Sequence, residues 1–388
     1  MAKKIPWSWL LCVLAVLAIT VVIPLGLQYY TAHRLTTPQP VPEAGQWYIL
    51  HPEGTKTADG EAMPTRVRVG SENKLIVYFL GGGMSTDANM AAHPYQGIWL
   101  GEGFYSNDLS GQLPMVCQLG LADSQADNPF RDWSVIVVPY TTADFHVGDG
   151  EFVYTDENGE KKTLYHHGYQ NYRAVMDMAT QYVGAAPEEL LIAGYSAGGF
   201  AATMLAEELM TDYFPQAAHV TVCVDSSVLV LDNWQEILCE VWHAPESVTE
   251  KCVTGNPVTD GLTALYERYG DSLSYLYLGS VRDGALAQYQ AYYDEGTFFW
   301  YEDNIPAYSE NLKGMLSDLQ ENVPTIGIYL FDNLPYSKFL RGSRLTQHTV
   351  LATNGASLTL SEGIRPLDWL YEATCGRVSS VGLDKLDG

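Results

Sequence analysis

The chain has 388 residues, of which 47% are hydrophobic and 17% are charged, so it can bury a sizeable core and widespread disorder is not expected. Its formal net charge of -25, from 46 acidic and 21 basic residues, leaves no basic stripe for a nucleic-acid partner. We interpret the acidic balance as a surface that keeps an exported protein soluble.

The amino-terminal thirty residues differ from the rest of the chain. Lys3 and Lys4 precede an apolar run over residues 7–27 that contains no charged residue. About 20 apolar residues are enough for a helix to cross a bilayer, and the small-residue cleavage site of a secretory signal is missing after this run. We therefore predict an uncleaved signal anchor over residues 1–30, with the remaining chain on the extracytoplasmic side. A cleaved signal peptide is the alternative.

Residues 31–53 are rich in proline at first, which is typical of an extended spacer. From residue 54 to 388 short apolar runs alternate with helical patterns, which predicts one α/β domain with a mostly parallel, doubly wound sheet. Residues 233–273 form a helical insertion in this interpretation. The predicted strands are 65–69, 74–80, 133–139, 190–195, 219–225, 275–279 and 325–331, and the predicted helices are 169–183, 197–211, 285–293 and 309–322.

The six cysteines do not define a disulfide framework, because one lies in the apolar run and the other five are an odd number. Cys239 and Cys252 are close enough in sequence to pair. No Cys-x-x-Cys or His-x-His cluster indicates a structural metal. We expect neither a metal nor an organic cofactor.

A serine stands at a tight turn between a strand and a helix. The apolar strand at 190–193 leads into Gly-Tyr-Ser-Ala-Gly-Gly at 194–199, and a helix-favouring segment follows at 200–206. Small residues suit a strained turn in which the helix packs close to the strand, and the serine hydroxyl is then held at the positive end of that helix. The pattern predicts Ser196 as a nucleophile, which needs a histidine base and an acid from elsewhere.

Three histidines follow Ser196 in the sequence. His219 opens a strand and so lies at the wrong end of a parallel sheet, and His243 ends an amphipathic stretch in the predicted insertion. His348 follows the last predicted strand, at the carboxyl edge of the sheet where ligands bind. It is the best candidate for the base, with an ordinary surface histidine as the alternative.

The acid should lie at the carboxyl end of the strand that precedes the histidine. Asp283 fits, because it follows the strand at 275–279 and comes before the strand that leads to His348. Asp332 is the main competitor, since it ends the later strand directly, and Asp225 is the third candidate. An ordinary loop aspartate that bonds its own backbone is the alternative for each of them.

Three glycines follow an early strand, at Gly81, Gly82 and Gly83. Glycines allow backbone N–H groups to approach a substrate oxygen, as in the glycine-rich loops of lipases and esterases. We predict that the N–H groups of Gly82, Gly83 and Ala197 form an oxyanion hole. A flexible turn is the alternative.

Several separated segments together resemble the pectin acetylesterase/Notum family of esterases. The segments are Leu80-Gly81-Gly82-Gly83, Val138-Pro139-Tyr140 leading to Asp144-Phe145-His146-Val147-Gly148, residues 167–177, residues 194–199, Asp225-Ser226, and the strand that ends near Asp283. The resemblance spans roughly residues 76–348 and implies an α/β-hydrolase fold with a triad of Ser196, Asp283 and His348. The sequence departs from the family at Met84-Ser85, where Trp-Cys is usual, and at Tyr195, where plant members have cysteine.

The resemblance implies a serine carboxylesterase that removes acetyl groups from a polysaccharide. A lipid or acyl ester hydrolase is the second hypothesis, with the aromatic segments 297–301 and 97–105 lining an acyl pocket. A membrane-tethered binding protein that has kept the fold and lost catalysis is the third.

Overall fold

A central mixed sheet organises the protein. The computed structural model describes residues 42–95, 103–109, 112–298, 302–332 and 346–387. The strands in these ranges are β1 (Trp47–Leu50), β2 (Thr65–Arg68), β3 (Lys74–Phe79), β4 (Ser134–Val138), β5 (Gly150–Thr155), β6 (Lys161–His166), β7 (Glu189–Tyr195), β8 (His219–Asp225), β9 (Leu273–Ser280) and β10 (Gly327–Phe331). Eight of them form one sheet in the order β1-β2-β4-β3-β7-β8-β9-β10, and β5 and β6 pair separately.

The six strands from β4 to β10 in that order are parallel, and β1 and β2 add an antiparallel edge. Every residue of β4 is buried, and so is every residue of β7 and β8 after the first. Such continuous burial is expected where helices cover both faces of a parallel sheet. The chain passes from β3 to β4 in one direction and on to β7 in the other, which confirms the predicted mostly parallel α/β sheet.

The helices connect the strands and cover the sheet. In the described ranges they are α1 (Ala88–Ala92), α2 (Gln112–Val116), α3 (Gly168–Ala179), α4 (Ala197–Glu208), α5 (Trp234–Glu236), α6 (Glu246–Thr249), α7 (Pro257–Tyr269), α8 (Gly284–Glu295), α9 (Ile305–Asn322) and α10 (Pro366–Thr374). All seven predicted strands and all four predicted helices are present, with ends that differ by a few residues. The helix predicted over 197–211 passes at its end into a π-helical turn, Leu209–Tyr213.

The predicted spacer extends too far into the folded domain. Trp47–Leu50 form the edge strand β1, which pairs antiparallel with β2. This strand has only four residues and alternates between half-buried and buried positions, so its sequence signal is short. The domain therefore begins before residue 54. The prediction also omitted the β5–β6 hairpin, whose first strand alternates between half-buried and exposed residues.

The predicted insertion over 233–273 is also too long. Its last part is α7, which connects β8 to β9 and packs against α4. The contact is close at Gly261, where an added Cβ would lie 2.7 Å from the Cβ of Thr203. Asn256 caps α7 by accepting hydrogen bonds from Val258 and Thr259, and Pro257 occupies the first turn. These signals mark the start of α7, and its position between β8 and β9 makes it a connecting helix of the α/β fold.

Three further sequence predictions concern cysteine pairing, metal binding and the membrane anchor. The cysteines of the described ranges are free, with Cys239 exposed and Cys252 buried, so these two do not pair. Within the same ranges no group of three or more His, Cys, Asp or Glu side chains could hold a metal ion. No helix in the described part of the chain is long and apolar enough to cross a membrane, and the predicted anchor at 1–30 lies outside that part.

Candidate active site

Ser196 occupies the turn between β7 and α4, as the sequence predicts. Its backbone has φ 52° and ψ -125°, a conformation that residues other than glycine rarely adopt. The Ser196 N–H donates to the carbonyl of Asp225 at 2.8 Å. The Ser196 carbonyl accepts from Gly199 N–H at 2.9 Å and from Ser227 Oγ at 2.6 Å. These contacts hold a strained turn, as is common at catalytic sites.

The glycines around Ser196 are required by close approach of the backbone. A Cβ on Gly194 would lie 1.9 Å from the carbonyl oxygen of Gly198, and a Cβ on Gly198 would lie 2.1 Å from the carbonyl oxygen of Phe79. The first contact closes the turn on itself and the second packs the start of α4 against the end of β3. The Gly-x-Ser-x-Gly pattern is therefore a local steric requirement of this turn.

His348 and Asp283 are in direct contact. His348 Nδ1 lies 2.6 Å from Asp283 Oδ2. The other carboxylate oxygen of Asp283 accepts from the N–H groups of Ala285 at 2.9 Å and Leu286 at 3.1 Å, so Asp283 also caps α8. The Asp283 side chain is fully buried and the His348 side chain is 23% exposed. A fixed carboxylate thus holds the imidazole at Nδ1, and Nε2 is left for chemistry.

The charges around His348 raise its basicity. Burial lowers the pKa of His348, but the charge and hydrogen bond of Asp283 and the charge of Asp225 outweigh that effect. The net result is a pKa above the ordinary histidine value of 6.5. A histidine with a raised pKa accepts a proton more readily, which suits a general base.

The competing acids are engaged elsewhere. The Asp332 carbonyl accepts from Arg282 Nη2 at 2.6 Å, and its carboxylate lies 3.7 Å from the same group. Asp225 Oδ2 accepts from Val350 N–H at 2.9 Å and Leu351 N–H at 2.7 Å. Geometry therefore pairs the histidine with Asp283 rather than with either alternative.

The competing histidines lie away from this pair. His219 is the exposed first residue of β8, at the opposite end of the strand from Asp225. His243 follows the π-helical turn Ile237–Val241 in the inserted segment and lies close to Gly150, the first residue of β5. Neither is at the carboxyl edge of the sheet next to Asp283.

Asp225 joins the two halves of the site, a role that the sequence reasoning missed. Its carbonyl accepts from the Ser196 N–H, and its carboxylate holds the backbone of Val350 and Leu351, just after His348. On the other side of His348, Thr346 forms a parallel bridge with Asp283. The histidine loop is thus fixed at both ends. A buried aspartate at the end of the strand next to the nucleophile strand was the available signal.

The structure does not link Ser196 and His348 directly. Among the described residues Ser196 Oγ has no hydrogen-bond partner, and its hydroxyl stays available. Catalytic hydrogen bonds are often loose in proteins without substrate and tighten when it binds. The serine and the histidine are held in the same site through Asp225 rather than through each other.

The glycine triplet lies beside Ser196. A Cβ on Gly81 would be 2.7 Å from Ser196 Cβ. The Gly82 carbonyl accepts from Ser106 N–H at 2.8 Å, and a trans peptide directs the following N–H, that of Gly83, to the opposite side. In the described part of the chain the N–H groups of Gly82 and Gly83 have no partner, and the N–H of Ala197 belongs to the unpaired first turn of α4.

A serine on a strained turn, a histidine held by a carboxylate and nearby unpaired N–H groups are the parts needed for acyl transfer. They lie at the carboxyl ends of a mostly parallel sheet, with the serine between strand and helix. This fold and arrangement define the α/β-hydrolase class.

Comparisons with known proteins agree with this class. Residues 66–247 match the family model described as Pectinacetylesterase. Two crystal structures of the Wnt deacylase Notum from Drosophila share the fold. One is 16% identical with a TM-score of 0.56 and covers 86% of this chain and 95% of its own. The other is 15% identical with a TM-score of 0.55 and covers 86% of this chain and 94% of its own. No curated protein matches the chain significantly.

Over residues 66–247, a little under half of the chain, the family match bears out the resemblance to the pectin acetylesterase/Notum family that the sequence motifs indicated. Together with the shared fold, this match supports an esterase of the α/β-hydrolase type. The matched residues include the glycine triplet and Ser196, whereas Asp283 and His348 lie beyond the matched segment.

Proposed function

We propose that the protein is a serine carboxylesterase in which Ser196 is the nucleophile, His348 the general base and Asp283 the acid that orients it. The observation that carries the proposal is the contact of 2.6 Å between His348 Nδ1 and a fully buried Asp283. A serine on a strained strand–helix turn is held next to this pair through Asp225.

The first half-reaction transfers the acyl group to the enzyme. Ser196 Oγ attacks the ester carbonyl carbon while His348 Nε2 takes the hydroxyl proton. Asp283 keeps the proton on Nδ1 and stabilises the imidazolium that forms. As the tetrahedral intermediate collapses, the C–O bond to the alcohol breaks and His348 returns the proton to that alcohol.

The second half-reaction is hydrolysis of the acyl-enzyme. Water attacks the acyl carbon, His348 takes its proton, and Ser196 leaves with that proton as the acid is released. In both steps the N–H groups of Gly82, Gly83 and Ala197 bind the oxyanion. Removal of one such donor typically costs about 3 kcal/mol of transition-state stabilisation.

The proposed substrate is an O-acetyl ester on a polysaccharide, in line with the family of the matched segment. The aromatic residues next to the glycine triplet support a short acyl group, because they pack on one another. The Phe104 and Phe298 rings stack with centroids 4.0 Å apart, and Tyr289 contacts Phe298 at 5.1 Å. A Cβ on Gly83 would lie 1.9 Å from the Phe104 carbonyl oxygen, so this cluster adjoins the triplet directly.

Hydrolysis of a lipid or longer acyl ester is the second candidate. The observation in its favour is the fold shared with a Drosophila protein that is named a Wnt deacylase. Phe104 and Phe298 belong to the two aromatic segments that were predicted to line an acyl pocket. The other residues of those segments lie mostly outside the described ranges.

Hydrolysis of p-nitrophenyl esters from acetyl to dodecanoyl by the purified full chain tests the proposal. We expect the highest kcat/KM with acetyl or propionyl, and loss of activity in Ser196→Ala. A preference for long chains would favour the lipid ester candidate. Folded protein that hydrolyses no ester would contradict the enzymatic proposal and favour a binding protein on the same fold.

Residues 7–27 support a further part of the proposal, a single amino-terminal membrane anchor with the esterase domain on the extracytoplasmic side. In cells that express the full chain, we expect the protein to stay in the membrane pellet after alkaline carbonate extraction and to be degraded by protease added outside. A soluble protein whose amino terminus begins after residue 27 would show cleavage instead.

A further inference from the structure

The loop after β4 has unusual backbone geometry and no part in the proposed chemistry. Ala143, Phe145 and His146 have φ of 57°, 53° and 63°, in the left-handed region that favours glycine. Three such residues within four positions are rare, and they persist only where the surrounding structure imposes them. All three are buried. Backbone strain of this kind clusters at functional sites, so we expect the loop to support one.

A buried carboxylate holds the loop in this shape. Asp144 accepts from Thr142 Oγ1 at 2.7 Å, from His146 N–H at 3.1 Å and from Gly168 N–H at 2.8 Å. Gly168 begins α3, and a Cβ there would lie 2.3 Å from Asp144 Oδ1. The loop is therefore locked between the end of β4 and the start of α3.

The locked loop contacts the glycine triplet through its two ends. His146 Nε2 lies 2.8 Å from the carbonyl oxygen of Leu80, and since a carbonyl only accepts, Nε2 carries the proton. Burial lowers the pKa of His146 to about 4, so the ring is neutral at physiological pH. The Tyr140 hydroxyl donates to the Gly83 carbonyl at 2.9 Å and accepts from Phe145 N–H at 2.9 Å.

These two bonds fix the peptide units on either side of the oxyanion N–H groups. The Leu80 carbonyl belongs to the peptide that enters the triplet, and the Gly83 carbonyl belongs to the peptide that leaves it. The N–H groups of these two planar peptide units are those of Gly81 and Met84, so the bonds fix both ends of the short segment that carries the Gly82 and Gly83 N–H groups. The glycines themselves have no side chains and wide φ/ψ freedom, so they need an external support to keep one geometry.

We propose that Tyr140 and His146 are positioning residues that hold the glycine triplet in the geometry needed to bind the oxyanion. The proposal rests on the serine esterase function above and adds residues that do not touch the substrate. They act by preorganising donors, whose effect is larger in the transition state than in the ground state. Their loss should therefore lower kcat more than it raises KM.

Tyr140→Phe is the sharpest test, because it removes one buried hydroxyl and keeps the ring. We expect kcat to fall about 10-fold, with KM within about twofold. Tyr172→Phe is the matched control, since the Tyr172 hydroxyl is equally buried and, among the described residues, has no hydrogen-bond partner. Its kcat should stay within about twofold of the wild type.

Affinity for a trifluoromethyl ketone separates positioning from a general loss of structure. Such a ketone forms a tetrahedral oxyanion adduct with the serine, so its inhibition constant should rise in Tyr140→Phe by the same factor as kcat/KM falls. His146→Gln, which keeps an N–H donor, should retain more activity than His146→Ala. Both effects should appear in protein whose circular dichroism spectrum matches the wild type.

Two results would overturn the role of the loop. Unchanged kcat and ketone affinity in Tyr140→Phe, with an active wild type, would show that the loop contributes only to folding. A wild type that neither hydrolyses esters nor forms the ketone adduct would instead reject the serine esterase function and the loop role with it.

Discussion

The nucleophile turn and the histidine loop meet in one site, yet the sequence specifies them in different ways. The turn around Ser196 is determined by neighbours in the chain, because Gly194 and Gly198 allow a contact that any side chain would block. The loop that carries His348 is placed by Asp283 and Asp225, which are 65 and more than 120 residues away. A local steric device and a distant set of hydrogen bonds thus build one reaction centre.

The largest expected effect concerns the distant contact with Asp283. In Asp283→Asn the amide cannot hold the imidazole in the required tautomer, and kcat should fall about 10⁴-fold. Steady-state kinetics with p-nitrophenyl acetate measures it. Asp332→Asn is the control, because that side chain faces Arg282 and should leave kcat within about twofold. Equal losses in the two variants would reject the assignment of the acid.

The close backbone contact at Gly194 in the nucleophile turn is tested by stability rather than by kinetics. In Gly194→Ala the new Cβ would lie 1.9 Å from the Gly198 carbonyl oxygen, so the turn must open, and we expect a loss of about 3 kcal/mol or more in the free energy of unfolding. Urea denaturation gives this value. Gly314→Ala in α9 meets nothing within 4 Å and should stabilise by about 0.5–1 kcal/mol. A tolerated alanine at 194 would contradict the steric account.

Asp225 links the two regions, and its substitution tests that link. Asp225→Asn replaces the charged acceptor of the Val350 and Leu351 N–H groups by a neutral amide oxygen. Both hydrogen bonds weaken, so kcat should fall about 10- to 100-fold with a loss of about 1–3 kcal/mol of stability.

Asp260→Asn is a matched control for this variant. Asp260 is also buried and accepts from two backbone N–H groups, those of Val253 and Thr254, but it lies in the connection before β9. It should lose similar stability and keep its kcat. Equal kinetic losses in both variants would show a general folding effect and remove the positioning role of Asp225.

The smallest expected effect is on pH dependence. The pKa of His348 is raised above 6.5, and the base must be neutral, so kcat/KM should fall as the pH drops through a midpoint above 6.5. The protonated histidine stabilises the fold fully below the unfolded pKa, and this contribution is lost as pH rises through the folded pKa. Asp225→Asn removes one of the charges that raise this pKa, so the midpoint should move to lower pH.

An unchanged midpoint in Asp225→Asn would show that Asp225 has no electrostatic influence on the base. The Asp260→Asn variant again provides the comparison, because its carboxylate does not contribute to the pKa of His348. The pH profile of kcat/KM with a neutral substrate such as p-nitrophenyl acetate gives both midpoints.

The contrast between local and distant contacts also explains what could be predicted from the sequence. Buried strands with continuous apolar runs, such as β4 and β7, were found, and so was the serine turn with its glycines. The edge strand β1 and the half-exposed hairpin of β5 and β6 were missed, because short or half-exposed strands carry little hydrophobic pattern. The role of Asp225 was missed because its partners are backbone N–H groups far along the chain.

The most direct test of the central claim is labelling of the full chain with a fluorophosphonate, followed by peptide mapping by mass spectrometry. We expect a single adduct on Ser196, formed much more slowly in Asp283→Asn and at the wild-type rate in Asp332→Asn. An adduct on another residue, no adduct on folded protein, or a rate that does not depend on Asp283 would contradict the proposed Ser196, His348 and Asp283 site.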